Sequence, residues 1–225
     1  MNTAKHIVLL GVLGLLAACT EPNAPAAGTP RAWQALQWKA GPTPTQFAVD
    51  RPVRAASTTV DAAPPAPVPL SANQVSFWAY KDQDASVQVN YLDADSTWRP
   101  YVSLSVPSGA LLQRPDGSFI AAGDSIEITL TFDTTQIVFE AEPSGLVFNP
   151  LVRPTLTVWY GGTDPDFNGD GVVNFLDAYI EQVLLGLYTR QDADDPWEPL
   201  SALQDLLAKQ FTARLLHFCG YAVEW

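Results

Sequence analysis

The chain has 225 residues, a formal net charge of −12 and a sequence pI near 4.3. Such an acidic balance excludes sequence-independent nucleic-acid binding, which needs a basic footprint, and it suits a cation site or a solvated secreted surface. The two cysteines, Cys19 and Cys219, are too few for a disulfide scaffold or a thiolate zinc centre.

Lys5 and His6 precede an apolar run, Ile7 to Leu16, which ends in Leu16-Ala17-Ala18-Cys19. The run is too short to span a bilayer and has the layout of an export signal. Small residues placed before a Cys resemble the lipobox of bacterial lipoproteins. That resemblance implies a lipoprotein signal peptide over residues 1–18, cleavage before Cys19, diacylglycerol on the Cys19 sulfur, and N-acylation. Several acyl chains anchor far better than one, so the expected partner is the membrane, held through the lipid and not spanned. The expected location is the bacterial cell envelope, exported, on an outer membrane or cell surface. An ordinary secretory signal with a coincidental Cys is the alternative.

Residues 19–73 read as a tether. Ten of the 19 prolines fall between residues 20 and 70, among many Ala and Thr. Such chain buries little and favours extended polyproline-like conformations. Arg31 to Lys39 interrupts it with Trp33, Leu36 and Trp38, a short element suited to dock on the folded domain or on a partner.

Alternation begins after Ser71. Val87, Val89 and Tyr91 alternate with Ser86, Gln88 and Asn90, and Val102, Leu104 and Val106 with Tyr101, Ser103 and Ser105. Ile126, Ile128, Leu130 and Phe132 alternate with polar residues, and Leu156, Val158 and Tyr160 with Thr155, Thr157 and Trp159. Period-two runs of this length predict half-buried strands. Pro107-Ser108-Gly109, Pro115-Asp116-Gly117, Ala122-Gly123-Asp124 and Pro143-Ser144-Gly145 supply turns between them. The predicted fold class is mainly β, an antiparallel Ig-like sandwich. Val106-Pro107-Ser108-Gly109-Ala110-Leu111, Pro143-Ser144-Gly145-Leu146-Val147-Phe148 and Leu216-His217-Phe218-Cys219-Gly220-Tyr221 resemble segments of the ZU-type sandwich of ankyrins and netrin receptors. The resemblance covers about half of residues 75–225 and implies a binding or structural sandwich.

Asp166 to Asp177 fits a calcium loop in register. Side-chain oxygens come from Asp166, Asn168 and Asp170 at positions 1, 3 and 5, with Gly171 at the sharp turn, the Val172 carbonyl at 7, Asn174 at 9 and Asp177 at 12. Calcium wants six to eight hard oxygens in a flexible cage, and alternate residues on a tight turn supply them. Asp at position 12, where the EF-hand has Glu, resembles one repeat of the dockerin modules of cellulosomes, spanning Asp166 to Gly186. That resemblance implies a calcium loop with an exit helix and, in the full two-repeat module, cohesin binding. No second repeat is found. An Asx-turn loop without metal is the bland alternative.

Leu176, Ile180, Val183, Leu184 and Leu187 predict the apolar face of the exit helix. Ser201 and Gln204 have capping-box spacing, and Leu203, Leu206 and Leu207 predict a second short helix. The domain reading is therefore residues 74–161 plus 211–225 as the sandwich, Phe211 to Trp225 forming its closing strand or hairpin. Residues 162–210 are an inserted loop-and-helix unit.

Catalytic constellations are scarce. Once the signal is removed His217 is the sole histidine, no Gly-x-Ser-x-Gly elbow exists, and no His cluster could hold catalytic zinc. The expected protein is a non-enzymatic, calcium-binding, lipid-anchored envelope protein, a structural or binding module. Its calcium affinity is expected toward the weak extracellular range, about 10⁻⁴ M, because the loop lacks a partner loop. The alternative is a dockerin-like or carbohydrate-binding module that recruits an extracellular protein or polysaccharide, through Trp78, Trp98, Trp159, Trp197 or Trp225 if a sugar platform exists. A small hydrolase using paired carboxylates is a third reading and requires a cleft.

Overall fold

The computed structural model describes residues 35–39 and 68–225. The alternating segments are strands. They comprise β1 (Gln74–Tyr80), β2 (Ala85–Leu92), β3 (Trp98–Val106), β4 (Leu111–Gln113), β5 (Ser125–Phe132), β6 (Val138–Glu142), β7 (Val147–Phe148) and β8 (Thr155–Trp159). A short helix, α1 (Phe175–Tyr179), and a π-helical turn (Ile180–Leu184) follow. The chain then returns to strands in β9 (Gly186–Arg190), β10 (Glu198–Pro199), β11 (Ala202–Asp205), β12 (Gln210–Arg214) and β13 (Gly220–Glu224).

One antiparallel sheet has the order β1-β5-β6-β13-β9-β10 and the other β11-β12-β8-β3-β2, while β4 and β7 form a ribbon. The fold is mainly β and consistent with a β-sandwich. Apolar faces set by the pleat meet between the sheets. Ile128 and Leu130 of β5, Leu104 of β3, and Leu156 and Val158 of β8 are all buried. Tyr101 of β3 bridges the layers, its ring centroid 5.5 Å from Phe132 and 6.5 Å from Phe139. Simple alternation places Tyr101 on the outer face, yet Tyr101 and Val102 are both buried. A β-bulge explains it, since the register of β2 against β3 shifts between Val89↔Val102 and Asn90↔Pro100.

Residues 35–39 of the aromatic interruption dock on the fold, while Trp33 lies outside the described residues. Leu36 N donates to Val223 O at 2.9 Å, and Leu36 O accepts from Ile137 N at 2.8 Å. Leu36 and Trp38 are buried, and the Trp38 ring lies 5.0 Å from Tyr91 and 4.7 Å from Tyr101. The signal segment and Cys19 lie outside the described residues.

Two helical expectations are corrected. The exit helix keeps only α1 and the π turn, after which Leu185 is extended and Leu187 is a buried β9 residue paired with Val223. Leu185 and Leu187 therefore obey a period of two that helical spacing had disguised, and pairing with β13 decides between them. The predicted helix after Ser201 is the hairpin β11–β12, with Ala202 opposite Ala213. Leu203 and Leu207 are exposed at 79% and 96%, so the supposed apolar face has no core to enter. The Asp205 carboxylate closes this hairpin by accepting from Leu207 N and Ala208 N, each at 3.0 Å. Phe211 to Trp225 supplies β12 and β13 to different sheets rather than one hairpin. What stands outside the sheets is thus narrower than 162–210, because β9 to β12 are sandwich strands.

Candidate metal centre

Between β8 and α1 the chain turns through the acidic loop. Gly169 and Gly171 take φ values of +70° and +83°, the left-handed region that favours glycine. This curls the backbone so that its N–H groups converge on the side-chain oxygens. Asp166 Oδ1 accepts from Asp170 N at 3.2 Å, and Oδ2 accepts from Gly171 N at 2.6 Å. Asn168 Oδ1 accepts from Asp170 N at 3.0 Å, and Asp170 Oδ1 accepts from Val172 N at 2.8 Å.

Asp177 closes the loop from the other end. Its Oδ1 accepts from Asn168 N at 3.2 Å and its Oδ2 from Asn174 N at 2.8 Å. Asn174 is the N-cap of α1 and Asp177 its third residue, so the pair is a capping box. Asn174 and Asp177 carry that spacing in the sequence, whereas Ser201 and Gln204, at the same spacing, open a strand. Asp177 is buried, and the Asn174 N–H chiefly holds its carboxyl below the usual range. Burial opposes this shift, while the Asn168 and Phe167 amides reinforce it.

The loop is fastened at both ends. Before it, Lys39 N donates to Gly162 O at 3.1 Å and Asp164 N to Gln37 O at 3.4 Å. Gly162 is required there, since a Cβ would sit 2.5 Å from the Tyr91 ring and 2.9 Å from Trp38. After it, Gln204 Nε2 donates to Tyr160 Oη at 3.1 Å and to Glu181 O at 2.9 Å, and Lys209 pairs with Glu181. The docked tether, β8 and the β11–β12 hairpin all hold the excursion in place.

The donor chemistry fits a hard cation, because Asp166, Asn168, Asp170, Asn174, Asp177 and the Val172 carbonyl offer only oxygen ligands. Among the described residues, no three His, Cys, Asp or Glu side chains are gathered as a ready metal cluster. Two Asn amides turn their nitrogens to neighbouring loop oxygens. Asn168 Nδ2 donates to Asp170 Oδ2 at 2.9 Å, and Asn174 Nδ2 donates to Val172 O at 2.8 Å. Their oxygens accept backbone N–H groups, Asn168 Oδ1 from Asp170 and Asn174 Oδ1 from Leu176 at 2.8 Å.

Sequence reasoning missed a cavity of about 710 Å³ beside the loop, bounded by Asp166, Asn168, Arg190, Trp197, Glu224 and Trp225. The signal was one carboxylate in an otherwise apolar strand, Glu224 after Val223. Of the other aromatic candidates, Trp78 and Trp98 are exposed and Trp159 is half-buried in β8. His217 is half-buried, bridged through its backbone to Val147. Compared with known proteins, the chain matches no family model, no curated protein and no solved structure.

Proposed function

We propose that this is a non-catalytic, calcium-binding envelope protein, lipid-anchored through Cys19, in which the ion locks the Asp166–Asp177 loop onto the sandwich. The observation that carries the reading is reciprocal closure. Asp166 and Asp177, twelve positions apart inclusive, each accept two backbone N–H groups of the loop between them. Their carboxylates are thereby oriented before any cation arrives, which lowers the ordering cost of binding. Asp170, Asn168, Asn174 and the Val172 carbonyl would complete the oxygen shell, as in a dockerin-type half with its single exit helix. Calorimetric titration of residues 20–225 with calcium tests this. One saturable site is expected, abolished by Asp166→Ala with Asp170→Ala; no heat and no ion by mass spectrometry of the native protein would refute it.

One observation favours a second reading, recruitment of an extracellular protein. The outward face of α1 and the π turn exposes Phe175 at 85%, Tyr179 at 50% and Val183 at 59%. These residues lie at helical spacing, and an apolar face of this kind suits a partner groove. Among the described residues no helix is long and apolar enough to cross a membrane.

A further inference from the structure

The outer face of the six-stranded sheet carries the cavity. Registers Gly220↔Glu140, Gly220↔Arg190 and Glu224↔Gly186 put Glu140, Arg190 and Glu224 on the face opposite the Phe139–Tyr221 core contact. Glu224 is 1% exposed, yet its Oε2 has no hydrogen-bond partner, and neither does the buried Nε of Arg190. A buried carboxyl oxygen and a buried guanidinium N–H without partners, in two residues that line one cavity, are costly, and such groups call for an explanation. The rest of Arg190 is well held. Its Nη2 donates to Glu140 Oε1 at 2.8 Å, Nη1 donates to Ala193 O at 3.0 Å, and the guanidinium lies 4.5 Å from the Trp197 ring centroid. The wall is therefore fixed.

We propose that this cavity binds a neutral saccharide. Its volume, about 710 Å³, lies within the usual range of small-molecule sites. Gln37 and Gln136 join Glu224 and Arg190 in the lining, which therefore offers both donors and acceptors. A hydroxyl serves both kinds of group at once, giving its proton to a carboxyl oxygen and its lone pairs to an N–H. Trp197 and Trp225 add flat apolar surface suited to the C–H face of a sugar ring. Asp164 and Asp166 make the lining acidic and disfavour anionic ligands, while Arg190 pairs its charge with Glu140. The inference goes beyond the calcium reading and does not depend on it.

The test is calorimetry and Trp fluorescence of residues 20–225 with cellohexaose, xylohexaose, chitohexaose and maltohexaose, in calcium and again in EGTA. Hexagalacturonate and hexalysine serve as charged comparisons. At least one neutral hexaose should bind saturably. Trp225→Ala and Glu224→Gln should each weaken it about ten-fold or more, and Trp78→Ala, on the opposite edge strand, should leave it unchanged. Circular dichroism and melting curves identify a variant that misfolds, and Gln136→Ala then replaces it. Binding in both buffers supports the site; binding in calcium alone supports it and makes the loop a working wall of the cavity. No neutral hexaose bound at millimolar concentration, affinity untouched by the cavity variants, or binding of a charged oligomer alone would overturn the proposal.

Discussion

Glu224 is the residue whose surroundings conflict most with its charge. Burial pushes its carboxyl up to about 7, against the pull of Arg190. A carboxyl raised in the fold binds its proton more tightly there than in the unfolded chain. Its stabilising contribution is therefore full below the unfolded value and declines as pH rises through about 7. Melting temperatures should fall between pH 5 and pH 8, and Glu224→Gln should flatten that slope; an unchanged slope would remove Glu224 as its source. Trp38 acts in the opposite sense, as a large apolar body inserted between Tyr91 and Tyr101. Trp38→Ala should cost about 3–5 kcal/mol in denaturant unfolding, the usual penalty for emptying a buried aromatic position. A loss below about 1 kcal/mol would mean that the tether segment docks only loosely.

At the scale of elements, the capping box places Asn174 and Asp177 in two roles, as helix cap and as proposed ligands. Asn174→Ala should therefore lower stability in EGTA by about 1 kcal/mol through the cap alone, with a further loss in calcium. The β11–β12 hairpin gives a contrasting prediction. Leu203→Lys and Leu207→Lys should change stability by no more than about 0.5 kcal/mol, because both side chains already face solvent. A buried helix face would react far more strongly. The strands β2, β3, β5 and β8 were legible because their period-two pattern had no rival. The segments after Asp177 were not, because leucines at i, i+3 and i+4 satisfy helical spacing without revealing which of them find a core. Register with β12 and β13 decides that, and register comes from partners distant in sequence.

Across the whole molecule, a stretch that reads as tether supplies core side chains, and its backbone bonds reach the entry of the acidic loop through Gln37 and Lys39. Leu36 and Trp38 stood out in the sequence as apolar residues in a Pro-rich run, but nothing local could identify their site among Tyr91, Tyr101 and Ile137. The loop itself was legible as a pattern of oxygens. Its fastening to Gln204 and Glu181 was not, since Gln204 reaches the loop from a hairpin strand whose spacing in the sequence is helical. The central claim is that calcium stabilises this assembly by binding the folded loop. It is tested most directly by thermal melts of residues 20–225 in excess EGTA and in about 10 mM calcium, with the Asp166→Ala, Asp170→Ala protein alongside. With affinity on the order of 10⁻⁴ M, mass action gives about 2.7 kcal/mol. For a domain of this size, that predicts a rise of roughly 5–10 °C. The double variant should show none. Equal melting temperatures in both buffers, with no ion retained, would contradict the account and leave the loop an Asx-turn excursion on an otherwise self-sufficient sandwich.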